Sequence, residues 1–423
     1  MKLTRLAVAI SLMSAAGLAH ATDGYFSDAY GMKAAGMGGA ATAMTDDAMG
    51  GANNPASMAF VGNRLDLGLT IFSPRRSASR SGLGTGMDGS VDSNSNYFPV
   101  PELGYNHMVQ PNLALGVTVY GNGGMNTNYQ QDSFNCGQGA ANMLCGNGKL
   151  GVNLMQLIVA PTLAYKLNAT NSIGIAPLLG YQRFEAYGLQ AFTQNNISQS
   201  PNNVTNKGWD DSTGVGVRIG YLGQLTPTFS IGVSYATKMR MTKFGKYSGL
   251  FADGGLFDIP ENYSVGFAWK ATPGLTLAAD YQRINYGGVS SIGNPSTNHA
   301  QLGAAGGPGF GWKDINVWKL GGEYRYDKQW TFRAGYNHCD NPIQSRDVTF
   351  NILAPGVIED HLTLGATYTM PSGGELTLAY MHAFQNSVSG ASILPVFSGG
   401  SPSGTETIKM YENSIGISYG WKM

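Results

Sequence analysis

The sequence predicts an all-β protein, a transmembrane antiparallel β-barrel of about 14 strands with an N-terminal plug in its lumen. Three observations predict it. Apolar side chains recur at every second residue in segment after segment; the residues between them are Gly, Ser, Thr and Asn with few charges; and the connections between segments alternate short and long. Period two marks strands with one apolar face. A soluble sandwich would set Lys and Glu on the other face, so small polar residues there fit a wall with lipid outside and water within. Composition agrees, because the 423 residues are only 12% charged against about 25% in soluble domains. The net charge of zero leaves no basic footprint for nucleic acid.

The elements follow in chain order. Lys2 and Arg5 precede an apolar stretch from Leu6 to Leu18 that ends in Ala19-His20-Ala21. That layout is a secretory signal peptide over residues 1–21, with the mature chain starting at Thr22. No later apolar run reaches the roughly 20 residues of a spanning helix. Residues 22–61 contain the run GMGGAATAMTDDAMGGANNPA, almost empty of large side chains. Such a segment can pack several turns of backbone within a confined bore, and Pro55 fixes a bend ahead of the first strand.

Residues 62–423 supply the barrel. Its outward rows include Leu65/Leu67/Leu69/Ile71, Leu113/Leu115/Val117/Val119, Val215/Val217/Ile219/Tyr221, Phe229/Ile231/Val233/Tyr235, Tyr263/Val265/Phe267/Trp269, Leu362/Leu364/Ala366/Tyr368 and Ile415/Ile417/Tyr419/Trp421. Six connections are tight, and seven are long: about 74–98, 122–152, 191–209, 242–260, 287–313, 339–360 and 386–410. Short turns at one end and long loops at the other are the build of outer-membrane barrels. Closure is required, since an open sheet edge in hydrocarbon leaves backbone groups unpaired at several kcal/mol each. A barrel this wide is not filled by its own side chains, so it is a pore or is plugged.

Within residues 23–61, Asp23-Gly24-Tyr25-Phe26, Gly36-Met37-Gly38-Gly39-Ala40, Asp46-Asp47 and above all Asn54-Pro55-Ala56 resemble the N-terminal hatch of the FadL/TodX-type outer-membrane transporters. The resemblance implies a monomeric barrel in the outer membrane of a Gram-negative bacterium, with neither enzymatic activity nor cofactor. It implies passive uptake of long-chain fatty acids or of other hydrophobic molecules such as aromatic hydrocarbons. In that family, cargo is captured among the extracellular loops and passes to an inner pocket touching the hatch, toward which Tyr25 and Phe26 would reach. Exit is sideways through an inward kink of the third strand, which here falls on Gly121-Asn122-Gly123-Gly124. One departure is the C-terminus, where Lys422-Met423 stand in place of a terminal aromatic and Trp421 serves from two positions inward.

Charges on strands are informative, because Arg or Lys facing lipid at mid-depth costs about 2–4 kcal/mol. Alternation turns Arg218, Lys238, Arg240, Lys319, Glu323, Arg325 and Arg333 to the lumen. Lys238, Arg240 and Lys319 are the candidates for a cargo head group; the alternative is that all these charges pair with one another and with hatch carboxylates. Arg75, Arg76 and Arg80 in the first long loop read as a grip on lipopolysaccharide phosphate, or else as a lure for an anionic head group. Asp46 and Asp47 read as turn acceptors or partners of lumenal Arg, with a substrate-sensitive latch as the alternative. Hydrophobic capture falls to Met125 and Leu144, which bound the third loop region, and to Leu250, Phe251, Leu256 and Phe257; packing of the loops on each other explains the same residues.

Export permits a disulfide. Cys136 and Cys145 are its candidate pair, leaving Cys339 over. The cluster Asn337-His338-Cys339-Asp340 is no metal or nucleophile site, because adjacent strand residues point to opposite faces. Uptake of a hydrophobic molecule, first of all a long-chain fatty acid, is therefore the expected function. A hydrocarbon channel of the same fold and a loop-based surface receptor are the alternatives.

Overall fold

The computed structural model describes residues 23–131, 134–137 and 139–423; the expected signal peptide lies outside these. The barrel strands are β1 (Arg64–Ser81), β2 (Phe98–Gln110), β3 (Leu113–Asn126), β4 (Gly151–Lys166), β5 (Asn171–Tyr187), β6 (Asp210–Thr226), β7 (Phe229–Ala236), β8 (Asn262–Thr272), β9 (Leu275–Ile284), β10 (Ile315–Arg325), β11 (Trp330–Cys339), β12 (Asp360–Thr369), β13 (Glu375–Ser392) and β14 (Ser403–Lys422). Each pairs antiparallel with its chain neighbours, and β14 closes on β1 from Arg64↔Lys422 to Ser81↔Thr405. Closure leaves no edge strand facing lipid.

The alternation read from the sequence is the alternation of the wall. Leu67, Leu69 and Ile71 of β1, Ile173 and Ile175 of β5, and Leu362 and Leu364 of β12 are exposed outward. Near the loop ends Tyr181, Tyr235, Tyr281, Tyr336 and Tyr380 each donate the hydroxyl to a carboxylate or amide of the next strand: Asp211, Glu261, Asn316, Asp360 and Asn413. Rings with one greasy and one wet end suit that depth.

Two expected loops are shorter than their sequence suggests. β1 runs on to Ser81, and β13 and β14 extend through most of 386–410. There the outward residues are Ser387, Ser389, Thr407 and Lys409, still paired in register. Beyond the lipid the outward face turns polar while pairing continues, so the apolar signal stops before the strand does.

Residues 23–62 lie within the bore and touch the wall around its circumference. Inward glycines make that fit possible. A Cβ at Gly104 would stand 2.3 Å from the Ala48 carbonyl oxygen, one at Gly232 2.0 Å from that of Thr42, and one at Gly335 2.1 Å from the Gly38 nitrogen. Asn54 caps the turn Pro55–Ser57, its Oδ1 accepting from the Ala56 N–H (3.1 Å). Its Nδ2 donates to the Thr42 and Tyr221 carbonyls (2.8 and 2.9 Å). One side chain thus closes the turn, ties it to the preceding segment and anchors it to β6. Asp280 of β9 accepts from the Ala41 and Thr42 N–H groups and from Thr42 Oγ1 (2.7–2.9 Å).

Candidate transport path

The third strand carries an irregularity where glycines cluster. On the β4 side, Gly121 pairs with Leu157 but Gly123 pairs with Gln156, so Asn122 is an extra residue, a β-bulge. On the other side, β3 leaves β2 after Leu103↔Val119, while β2 continues against β1 as far as Phe72↔Phe98. Tyr120 to Asn126 consequently have no partner on β2, and the wall is parted there. The lumenal segment takes the place of the missing strand through the bridge Phe26↔Gly123. The Ser27 N–H donates to the Asn122 carbonyl (3.1 Å) and the Gly124 N–H to the Tyr25 carbonyl (3.2 Å).

Three cavities line up through the bore. The upper one, about 510 Å³, lies among Phe184 of β5 and loop residues including Leu144, Phe192, Leu250, Phe251 and Phe310, with Ser291 the one polar side chain of its described lining. The inner one, about 340 Å³, is formed by Tyr25, Phe72, Phe98, Met125, Trp312 and Met410, with Arg76 and Asn126. The lower one, about 520 Å³, lies against the parted wall between Tyr30, Val100, Glu102, Tyr120, Gly121 and Asp28. Chain neighbours link them: Leu353 lines the upper cavity and Ala354 the inner, Tyr25 the inner and Ser27 the lower.

Arg76 is the one charged side chain among the described residues that line the inner cavity. It is 6% exposed, its guanidinium donates to the Asn126 and Ser95 carbonyls, and its Nε has no partner. Among the described residues no carboxylate lies within ion-pair reach of it. The expectation of a loop arginine is corrected by the length of β1, which continues past 76 and turns Arg76 and Arg80 inward, leaving Arg75 outside over the Tyr97 ring (5.1 Å). Arg80 is sealed in a buried pair with Glu406 (2.7 Å).

The structure also corrects Lys238 and Arg240. β7 pairs Ala236 with Arg218, but beyond it Arg240 pairs with Val215, one residue out of step. That extra residue reverses the alternation, so Met239 and Met241 are buried inward and Lys238 and Arg240 are exposed. Lys319 does face the lumen, where it is occupied: Nζ donates to the Asp28 carbonyl (2.6 Å) and pairs with Asp23 (3.5 Å). Arg218 donates to the Gly51 carbonyl (3.1 Å), and Arg333 pairs with Glu323 (2.6 Å). Arg325 is exposed at the turn end of β10.

Tyr25 is fully buried, its ring against Tyr286 (5.2 Å) and Trp312 (5.9 Å). The Tyr286 hydroxyl accepts from the Tyr25 and Phe26 N–H groups and donates to the Asp23 carbonyl. Phe257 bridges Phe251 (4.9 Å) to Tyr25 (6.2 Å). Leu256 lines none of the three cavities; its carbonyl accepts from Ser291. Asp47 accepts from the Met49 N–H (3.0 Å), and the Asp46 carbonyl from Lys33 Nζ (2.9 Å). Lys33, Arg64 and Lys422 all meet Glu375 at 2.6–2.8 Å, tying the lumenal segment to both ends of the barrel chain. Cys136 and Cys145 form a disulfide, with Cα atoms 5.6 Å apart, and Cys339 is buried. The sequence reading does not include Arg76 and Trp312 in the lining of the inner cavity, nor Tyr286 as the support behind Tyr25. For Arg76 the signal was there, since it keeps the parity of Phe72 along β1; for the two aromatics, at the edge of and within a long connection, no periodicity exists to read.

A closed barrel with a greasy outside, an occupied bore and a chain of largely apolar cavities leading to a parted wall defines an outer-membrane transport channel for hydrophobic molecules. Its family is that of the outer membrane protein transport proteins (OMPP1/FadL/TodX), whose model matches residues 7–393, and the chain belongs to it. The P. putida toluene transporter TodX has a similar structure at 17% identity, TM-score 0.69, over 94% of this chain and 99% of that one. A Pseudomonas aeruginosa FadL homologue is similar at 16% identity, TM-score 0.67, over 94% and 99%. The Ralstonia pickettii toluene transporter TbuX follows at 19% identity, TM-score 0.63, over 93% and 98%. At these identities the likeness is one of fold. No curated protein matches the chain. The protein is a transport channel of the outer membrane and not an enzyme.

Proposed function

We propose that the protein takes up long-chain fatty acids passively, as a monomer. Cargo is caught in the upper cavity, binds in the inner cavity against residues 23–62 acting as a hatch, and leaves sideways between β2 and β3 when the hatch shifts. The observation that supports a fatty acid is Arg76, a buried cation without a carboxylate partner among the described residues, in a cavity whose other side chains are apolar save Asn126. Burying a charge is expensive unless it is paired. A cargo carboxylate supplies the pair, and the surrounding rings take the chain. Each buried methylene contributes about 0.8 kcal/mol, so about fifteen approach ~12 kcal/mol before ordering costs. Binding that strong would hold the cargo, so a hatch that changes the inner cavity is needed for release.

The test is equilibrium binding of a labelled long-chain fatty acid to purified protein and to Arg76→Gln, with toluene and an alkane as competitors. Saturable binding weakened at least tenfold by the substitution is expected, a loss of about 1.4 kcal/mol or more. A second reading, an uncharged hydrocarbon as cargo, draws on the upper cavity, whose lining holds no charged residue. Binding displaced by toluene and indifferent to Arg76 would favour it.

A further inference from the structure

Between the inner and lower cavities stands a carboxyl group that the path as described does not use. Met410, Glu412, Ser414 and Gly416 are successive inward positions of β14. Met410 lines the inner cavity, and Ser414 and Gly416 line the lower one. Glu412 therefore lies between the two along the strand, lining neither. Its neighbours across the sheet are Pro74 and Ala383, neither of which offers a side-chain donor. It is fully buried, and among the described residues both its carboxyl oxygens lack a hydrogen-bond partner. Such orphans in a native interior ask for an explanation.

The groups around it are Arg76 on β1, one diagonal step away in the ladder, Asp23 and Asp28 of the lumenal segment, and His361 on β12, both of whose ring nitrogens are also unpartnered. Lys319 is already held by Asp23 and Asp28. Beyond it, the described residues lining the lower cavity include Asp28 and Glu102 and neither Lys nor Arg. An anion leaving Arg76 toward the parted wall thus goes by the Glu412 carboxyl group and then two more, with no cation among the described lining of the lower cavity.

We propose that Glu412 is a charge gate: resting on the fatty-acid reading above, a cargo carboxylate passes from the inner to the lower cavity only while it shares one proton with the Glu412 carboxyl group. Two carboxylates side by side in a dry site are not both ionised, and they titrate as a pair. One proton comes from lumenal water and forms an O–H bond within the pair. No bond in the cargo breaks. The cargo departs as the neutral acid, the form that enters hydrocarbon, and Glu412 accepts the next proton from water. An uncharged hydrophobe needs no proton to pass, so the gate acts on acids alone.

The experiment compares transit of a tail-labelled long-chain fatty acid with that of an uncharged hydrocarbon carrying the same label. The full-length mature protein is reconstituted in liposomes across the mildly acidic to mildly alkaline range, as wild type, Glu412→Gln and Glu412→Asp. Wild-type acid transit is expected to fall by up to about tenfold per pH unit once the pair has lost its proton. Glu412→Gln should flatten that fall, Glu412→Asp should retain it, and hydrocarbon transit should be level in all three. An acid profile in Glu412→Gln identical to wild type, with Arg76-dependent binding intact, would overturn the gate alone. Absence of Arg76-dependent binding in every protein would overturn the fatty-acid reading and the gate with it.

Discussion

Gly123 stands at the bulge of β3 and is the position where the lumenal segment and the parted wall meet. A Cβ added there would lie 1.9 Å from the Tyr25 carbonyl oxygen and 3.1 Å from the Tyr25 ring. Real contacts of that kind are above 3.0 Å, so Gly123→Ala must push the Tyr25 backbone away by about an ångström. The displaced atoms hold the bridge between Phe26 and Gly123, including the Ser27 to Asn122 and Gly124 to Tyr25 hydrogen bonds. At about 0.5–1.5 kcal/mol each, their loss sums to about 1–3 kcal/mol. That energy falls on the seating of Tyr25, which lines the inner cavity, and not on the barrel, whose strand ladders stay paired. Gly123→Ala should therefore weaken fatty-acid binding by about 5- to 150-fold at that cost, with little change in the unfolding temperature of the barrel in detergent. Gly322→Ala is the control, since a Cβ there meets only Leu277 at 3.5 Å. Wild-type affinity in Gly123→Ala would refute the seating of cargo against Tyr25.

Thr42 Oγ1 lies 3.1 Å from Ser264 Oγ, close to the distance from which cysteine sulfurs at these positions would close a bond of about 2.05 Å. Thr42→Cys/Ser264→Cys should therefore lock the hatch to β8, abolishing uptake when oxidised and restoring it on reduction; equal uptake in both states would refute hatch movement. Lys319→Met leaves the buried Asp23 carboxylate without its cation, a loss of about 3–5 kcal/mol for a broken buried pair, and should raise amide exchange across residues 23–30 above that of the barrel. Lys238→Ala and Arg240→Ala, on the outer face, should leave fatty-acid affinity unchanged within twofold; a larger loss would return these cations to the cargo path.

What the sequence made legible was whatever repeats. Leu67, Leu69 and Ile71 identify a lipid-facing row because lipid selects every second side chain, and the same pressure operates on all fourteen strands. The lumenal course of residues 23–62 was readable because only small residues pack so close to inward glycines such as Gly104 and Gly335. Single-residue irregularities were not readable from alternation. One extra residue after Ala236 reversed the faces of Lys238 and Arg240, and nothing in their composition marks it. The bulge at Asn122 came from family resemblance, with the neighbouring glycines as its only local signal. Where the outward face turns polar, as at Ser387 and Thr407, the strand signal ended although the ladder did not. Arg76, past that point on β1, reads in the sequence as a loop cation for that reason. Glu412, buried with no hydrogen-bond partner among the described residues, is defined by neighbours on other strands and has no local signature at all.

The proposed uptake stands or falls on whether cargo sits in the inner cavity with its carboxylate on Arg76. A crystal structure of the protein soaked with a long-chain fatty acid brominated near its end would locate both head and tail. The carboxylate is expected within hydrogen-bond distance of Arg76 Nε and the chain among Tyr25, Phe72, Phe98 and Trp312. A head group lodged elsewhere, on Lys238 or Arg240 at the outer wall or in the upper cavity with Arg76 still unpaired, would contradict it.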